Sequence, residues 1–265
     1  MTSNSLKCIQ WNARGLTKSR LEEFRSLLNS LDPDLVFLSE TFWNNRFNVK
    51  FKNYSILKKD RSTRRGGGVA MLFKKTLKMS PIPMPYADTL EVIGAQLSSE
   101  TGPIDCFSVY CPRGDCPPED INFLFNRPNP FLIAGDFNAH HSLWESNSNE
   151  NTAGKSIHSA ILEHPDAAIL TPLNIGTRID PASGKESTID LIFASSQFAL
   201  NSTTLQGPYT NSDHLPIITI INASPVRLSN KLPAWIFDKS KWPQWNAALD
   251  NLLKLPTYLE LQDPA

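Results

Sequence analysis

The chain has 265 residues, 40% of them hydrophobic, with 26 Lys plus Arg against 26 Asp plus Glu and a pI near 7.0. That length and apolar content suit one large α/β domain with a tail, and the zero net charge excludes binding of nucleic acid through bulk basicity, so any DNA contact must come from local patches. No apolar run is long enough to span a bilayer and residues 1–6 lack the charged head and apolar body of a secretory leader, so an intracellular protein without membrane contact is expected.

Apolar runs rich in Val, Ile, Leu and Phe predict strands at 6–11, 35–38, 54–57, 69–73, 90–97, 104–110, 131–134, 189–194 and 217–221. Between the first two, Leu21, Phe24, Leu27, Leu28 and Leu31 recur at helical spacing, and Ser19 with Glu22 three residues on predicts a capping box. A second helix is predicted over 154–163, with Ile157, Ile161 and Leu162 inward and Pro165 marking its end. Many strands, few helices and several antiparallel turn signals predict an α/β four-layer sandwich, two packed mixed sheets flanked by helices. The domain is expected to occupy 5–222. Beyond it, Ser224-Pro225, Trp235, Phe237, Trp242 and Trp245 read as a linker and an amphipathic helix over about 240–253. The four cysteines, Cys8, Cys106, Cys111 and Cys116, make neither a dense disulfide framework nor a paired zinc pattern and are expected to be reduced.

The residues that can do chemistry stand at the ends of these runs. Asn12 follows the first and Glu40 the second. Tyr110 closes 104–110, and Ile133-Ala134-Gly135-Asp136-Phe137-Asn138 delivers a carboxylate and an amide two residues apart, on one side of a strand end. Ser212-Asp213-His214 stands just before the last run. Acid, amide and imidazole groups converging from distant strands suit a hard cation and a phosphate, because Mg²⁺ takes few protein ligands and leaves the rest of its octahedron to water and substrate. Hydrolysing a phosphodiester near neutral pH needs a cation on the phosphate, an oriented water, donors around the developing charge and help for the leaving oxygen. Glu40, Asn12 and Asp213 are therefore assigned as ligands of Mg²⁺, with Mn²⁺ as a substitute. Asp136 is assigned to orient or deprotonate the water, and Asn138 to hold the phosphate or that water. Asp190 fixes the tautomer of His214, which acts either as an imidazolium donor or as a base. Tyr110 sets a phenol against the phosphate. His140, His141, His158 and His164 receive no catalytic task.

Lys58-Lys59-Asp60-Arg61-Ser62-Thr63-Arg64-Arg65 is the densest basic run, and a basic edge of this kind, with Arg14, is where a duplex backbone would lie. Gly66-Gly67-Gly68 lacks the Lys-Ser/Thr of a P-loop and reads as a tight strand entry. Asp180-Pro181-Ala182-Ser183-Gly184 is turn material that sets Arg178 and Lys185 on opposite flanks of a hairpin, where they can meet a groove and choose the target.

The order Asn12, Glu40, Tyr110, Asp136-x-Asn138, Asp190, Ser212-Asp213-His214 resembles the exonuclease–endonuclease–phosphatase superfamily. More narrowly, Gln10-Trp11-Asn12-Ala13-Arg14-Gly15-Leu16, Gly66-Gly67-Gly68-Val69-Ala70, Gly135-Asp136-Phe137-Asn138-Ala139-His140-His141-x-x-Trp144 and Ser187-Thr188-Ile189-Asp190-Leu191 resemble the endonuclease domain of insect-type non-LTR retrotransposons, over roughly residues 6–222. The resemblance implies the same two-sheet fold and a DNA endonuclease that nicks double-stranded target DNA in the nucleus, leaving a 3′-hydroxyl to prime reverse transcription. It also implies a covalently continuous reverse transcriptase downstream, no small-molecule cofactor, and DNA contacts from Thr177 and Ser212. The alternatives are an apurinic-type repair endonuclease, another phosphoesterase of the superfamily, or a catalytically dead DNA-binding relic; the completeness of the set Asn12, Glu40, Asp136, Asn138, Asp213 and His214 argues against the relic.

Overall fold

A computed structural model of the chain describes residues 5–228 and 241–253, apart from 45, 48 and 62–65. The elements run β1 (Leu6–Asn12), α1 (Lys18–Leu31), β2 (Leu35–Ser39), β3 (Tyr54–Lys59), β4 (Val69–Lys74), β5 (Met79–Ile82), β6 (Glu91–Ser99), β7 (Gly102–Tyr110), α2 (Pro118–Phe125) and β8 (Phe131–Asp136). They continue with α3 (Thr152–Glu163), β9 (Ala167–Ile169), β10 (Arg178–Ile179), β11 (Glu186–Ser187), β12 (Asp190–Ser195), α4 (Ser196–Ala199), β13 (Thr203–Gln206), β14 (Ile217–Ile221) and α5 (Trp242–Leu253). Among the described residues the strands form two six-stranded sheets, ordered β13-β14-β1-β2-β4-β3 and β5-β6-β7-β8-β12-β9, with β10 and β11 as a separate hairpin. Each sheet is mixed, with one parallel pair, β1–β2 or β7–β8, among antiparallel neighbours. The α/β sandwich expected from the sequence is the one observed.

The alternation of side chains along each strand builds the layers. Leu6 and Cys8 of β1, Leu35 and Phe37 of β2, and Val69 and Met71 of β4 share one core with Ile104 and Cys106 of β7, Leu132 and Ala134 of β8, and Ile192 and Ala194 of β12. The intervening residues face outward to the helices: Ile9, Trp11, Val36 and Leu38 cluster with Phe24, Leu27 and Leu28 of α1, and Phe107, Ile133, Leu191 and Phe193 with Ile121, Leu124 and Phe125 of α2 and Ile157 and Ala160 of α3. Each large apolar side chain so buried contributes roughly 1.5–3 kcal/mol. The inward-facing rows do not stay apolar. They end as Gln10 and Asn12, Ser39, Ser108 and Tyr110, and Asp136, and the row of β12 begins with Asp190. Strand register sets these polar positions level with one another, Tyr110 opposite Asp136, Asp136 opposite Asp190, and Asn12 opposite Ser39.

Three local expectations are corrected. The N-cap of α1 is Thr17, without a side-chain cap bond, and Ser19 already lies inside the first turn, so the Ser19–Glu22 box does not form. Helix α3 starts earlier than predicted, at Thr152, because the Asn151 side chain accepts from Gly154 N. Leu162 is 70% exposed, and the buried stripe consists of Ala153, Ile157 and Ala160 instead. Helix α2 and strand β5 were hidden by prolines: Pro118 begins α2, where a missing N–H costs nothing, and Pro81 sits in β5 at the edge of its sheet.

The chain divides into compact units Met1–Leu228 and Ser229–Ala265. Within the first, residues past Asn222 remain bonded to it, with Glu100 N donating to Ser224 O and Val226 N to Ser98 O, each at 2.9 Å. Within the second, Trp242 and Trp245 of α5 meet edge to face at 6.4 Å; Trp235 and Phe237 lie outside the described residues. The four cysteines are free and buried, and among the described residues no helix is long and apolar enough to cross a membrane.

Gly135 is opposite Val109 in the parallel β7–β8 pair, and a Cβ added there would stand 1.9 Å from the Val109 carbonyl oxygen. Gly135→Ala is expected to destabilise the protein by about 1–3 kcal/mol. Denaturant unfolding reads this directly, and an unchanged midpoint would contradict the packing described.

Candidate active site

Asn12 lies between two carboxylates. Its Nδ2 donates to Glu40 Oε1 at 3.1 Å and to Asp136 Oδ2 at 2.7 Å, while its Oδ1 accepts from Arg14 N at 2.9 Å. The Tyr110 hydroxyl donates to the same Glu40 oxygen at 2.7 Å. Asn138 donates through its backbone N to Asp136 Oδ1 at 2.9 Å, and through Nδ2 to Asp136 Oδ2 at 3.3 Å and to Cys111 O at 2.9 Å. On the other side, Asp190 accepts from Gln10 Nε2 at 2.9 Å and pairs with His214 Nδ1 at 2.7 Å, and His214 Nε2 stands 4.0 Å from Asp136 Oδ2. One polar chain thus runs Gln10, Asp190, His214, Asp136, Asn12, Glu40, Tyr110.

The backbone is bent to make this possible. Arg14, Glu40 and Asn138, just beyond the ends of β1, β2 and β8, have φ of 45°, 51° and 46°. Left-handed backbone costs a residue other than glycine about 1–3 kcal/mol and persists only where its surroundings hold it. Two buried hydroxyls provide part of that hold. Thr177 Oγ1 accepts from Ile189 N at 3.1 Å and Asp190 N at 3.0 Å, and Ser212 Oγ donates to Asn12 O at 2.9 Å and accepts from His214 N at 3.2 Å.

Burial, with the Asp190 charge alongside, pushes the Asp136 carboxyl up to about 8, against the opposing pull of His214 and the Asn12 hydrogen bond. Burial disfavours the His214 imidazolium. The Asp190 carboxylate and its hydrogen bond, reinforced by Asp136 and Asp213, outweigh it and raise His214 to about 9. Burial also keeps the Tyr110 phenol protonated far above its usual range, with the Glu40 charge adding to the effect.

Asp136, Asp190 and His214 offer ligand atoms within 4.8 Å of one another, the single such group among the described residues. His214 keeps its proton there and gives Nδ1 to Asp190, so this trio is arranged to handle protons. The side formed by Glu40, Asn12, Asp136 and Asn138 is different: its donors are carboxylates and amides only, crowded around two acids whose repulsion a divalent cation relieves. These residues fit a hard cation such as Mg²⁺.

The structure brings together Asn12, Glu40, Tyr110, Asp136, Asn138, Asp190 and His214 from the residues singled out in the sequence. Asp213 is otherwise engaged. Its Oδ2 is paired with Arg14 at 2.8 Å and Arg178 at 3.2 Å, its Oδ1 is buried without a partner, and His214 and the two arginines hold its carboxyl below the usual range despite burial. Thr177 and Ser212, assigned to DNA, are 1% and 2% exposed and commit their hydroxyls to the backbone, so they brace the site from within. Arg14 and Arg178 keep 50% and 32% of their side chains exposed, and Lys185 is exposed on the β10–β11 turn. Arg64 and Arg65 lie outside the described residues. His140 bonds Glu145 at 2.7 Å, and His141 stacks on His158 at 4.2 Å. Gln10 and Ser39 were missed. Ser39 Oγ accepts from Asp136 N at 3.3 Å and donates to Val109 O at 3.0 Å. The signal was available, since Gln10 precedes Asn12 by two residues and so shares its face of β1.

Residues 104–218 match a family model described as endonuclease–reverse transcriptase. The chain is 27% identical over 232 residues to the RNA-directed DNA polymerase from mobile element jockey of Drosophila melanogaster, covering 86% of the chain and 25% of that protein. It is 24% identical over 258 residues to the probable RNA-directed DNA polymerase from transposon X-element of the same species, covering 95% and 28%. The chain therefore spans about a quarter of the length of these curated relatives. In fold it is similar to the endonuclease domain of TRAS1, a telomere-specific non-LTR retrotransposon, with a TM-score of 0.67 at 15% identity over 82% of this chain and 98% of that one. The Xenopus laevis APE2 catalytic domain is also similar, with a TM-score of 0.63 at 19% identity over 85% and 94%. The fold is the one these two solved domains share, and the endonuclease–reverse transcriptase match runs from β7 into β14, the stretch that carries Tyr110, Asp136, Asn138, Asp190 and His214. The chain is thus similar in sequence to mobile-element polyproteins and in fold to the endonuclease domain of a non-LTR retrotransposon.

The raised groups set a pH dependence of stability for the metal-free protein. His214, raised from 6.5 to about 9, contributes stability that is complete below pH 6.5 and lost as pH rises through about 9. Asp136, raised from 3.8 to about 8, acts in the same direction, because the folded state favours its protonated form until about pH 8. The lowered Asp34 and Asp213 contribute above 3.8 and have nothing further to add in this window. In chelator the unfolding temperature should accordingly be lower at pH 9 than at pH 6.5, and a level or rising Tm would contradict the assignment.

Proposed function

We propose that this domain is a Mg²⁺-dependent DNA endonuclease that nicks one strand of a duplex target in the nucleus. The nick leaves a 3′-hydroxyl for extension by a reverse transcriptase carried on the same polyprotein. The observation that carries the reading is the polar array in which Asp190 bonds His214, His214 Nε2 stands 4.0 Å from Asp136, and Asn12 bridges Asp136 and Glu40, so that a proton-handling pair lies beside an oxygen-only cation site. The relatives named as RNA-directed DNA polymerases from mobile elements support the larger context.

Glu40, oriented by Asn12, would hold the cation, which when bound polarises the phosphate and offsets its developing charge. Asp136, at about 8, is poised near neutral pH, where a base that orients and deprotonates water is most effective. Asn138, anchored by the Cys111 carbonyl, positions that water or the phosphate. The resting state of His214 favours the imidazolium, held by Asp190, with its Nε2 proton directed to the reacting centre. Tyr110 keeps its proton and remains a donor.

The β10–β11 hairpin is the proposed reader of the target. Asp180 N donates to Lys185 O at 2.9 Å, and Asp180 Oδ1 accepts from Ala182 N and Ser183 N, so the turn is internally fixed. A cleft of about 410 Å³ is lined by Arg178, Ser183 and Lys185 together with His140, Glu145 and Asn149. Phosphate contacts position a duplex without reading it, so a rigid projection beside the cut is needed for choice.

Asp136→Ala and His214→Ala should each lower Mg²⁺-dependent nicking of supercoiled plasmid on the order of thousands-fold, since both act in the same transition state. The parent should nick with Mg²⁺ or Mn²⁺, nick little with Ca²⁺ and not at all in chelator. Near-parent nicking by either variant, or full activity without metal, would refute the assignment, and strong preference for an abasic duplex would favour a repair-type enzyme, in line with the likeness to APE2.

Replacing 179–186 with a short Gly-Ser turn should preserve nicking while redistributing the cut positions on long DNA. Unchanged positions would move target choice elsewhere, with 58–65 as the next candidate.

A further inference from the structure

The segment after Glu40 holds an aromatic side chain in an unusual state. Thr41 is 1% exposed and Trp43 is 4% exposed, with Trp43 Nε1 donating to Leu16 O at 3.2 Å and its ring stacked on Phe47. Phe42, between them, is 38% exposed and has φ of 55°, a left-handed conformation unfavourable for a side chain of this bulk. The backbone around it is tied on both sides: Phe42 N donates to Gly67 O at 2.9 Å, Thr41 N to Gly68 O at 3.2 Å, Gly15 N to Glu40 O at 2.7 Å and Leu16 N to Thr41 O at 3.0 Å.

The ring is seated between glycines from two distant segments. A Cβ on Gly15 would come within 2.7 Å of Phe42 Cδ2, and one on Gly66 within 3.4 Å of Cε1. A phenylalanine needed only to fill space would turn inward as Trp43 does. Here a strained backbone, four hydrogen bonds and two glycine seats keep an aromatic ring at the surface. Its Cα lies within about 7 Å of that of Glu40 by chain length alone. Arg14, next to Gly15 and half exposed, adds a cation at the same edge.

We propose that Phe42 is a stacking platform for a nucleobase that flanks the scissile phosphodiester. The inference rests on the DNA-endonuclease reading above and deepens it, because every base offers a π-face and a ring fixed beside the cut phosphate can hold the flanking nucleotide whatever its sequence. In this role Phe42 positions the substrate, while the proton transfers remain with Asp136 and His214.

The test compares the parent with Phe42→Leu and Phe42→Trp on a short duplex carrying a mapped cut site, in Mg²⁺. Phe42→Leu keeps the apolar volume and loses the π-face. Its half-saturating duplex concentration should rise on the order of tenfold to a hundredfold, with a smaller change in the rate at saturation, and Phe42→Trp should stay near the parent. The bases on either side of the cut are then replaced one at a time by an abasic residue. At one position this should cost the parent the same factor while costing Phe42→Leu nothing further. A Phe42→Leu protein that matches the parent, or equal abasic penalties in both proteins, overturns the proposal alone. A parent that nicks no duplex overturns the endonuclease reading and this proposal with it.

Discussion

Two facing carboxyl groups set the terms for this molecule. Asp136 and Asp190 are direct partners across the antiparallel β8–β12 pair, both buried, on the face that packs against the other sheet. Such a juxtaposition is destabilising by itself, and burial in a low-dielectric interior magnifies it. The surroundings answer with donors drawn from the whole fold: Gln10 and Asn12 from β1, Asn138 from the turn after β8, and His214 from the approach to β14. The packing of one sheet on the other is therefore also what neutralises the pair. Removing a donor here leaves a buried acid uncompensated, which is why the layers and the chemistry cannot be separated.

The glycine run after the third strand illustrates how support extends outward. A Cβ on Gly67 would meet the Arg61 guanidinium at 2.2 Å, and Gly68 N donates to Glu91 Oε2 at 2.6 Å. Arg61 and Glu91 form an ion pair, and the guanidinium lies over the Tyr110 ring at 5.5 Å. The glycines thus make room for a charged brace against the phenol that donates to Glu40.

Much of this was legible in the sequence because one periodicity carries both fold and site. The apolar runs located the strands, and Asn12, Tyr110 and Asp136 lie where the inward rows turn polar, with Glu40 one residue past the end of β2. Pair geometry across the sheets was not legible. Nothing in the composition around Asp213 announces that two arginines take its oxygen, or that Thr177 and Ser212 point inward to backbone groups. Gln10 escaped because a single glutamine inside an apolar run carries no signal until its partner strand is known. Helix α2 and strand β5 escaped for the opposite reason, since prolines that begin a helix or sit on a sheet edge look like breaks.

The hairpin of Arg178 and Ser187 is rooted in the catalytic framework. Arg178 bridges His214, Ile179 N donates to Asp213 O, and Thr177 N donates to Ser187 O, each bond lying at the base of the loop. From Asp180 onward the turn is held by its own bonds. The tip's own bonds reach none of Asp136, Asp190 and His214. Residues 180–185 can therefore lengthen, shorten or change while the bonds that join Asp190, His214, Asn12 and Asp136 beneath them stay in place.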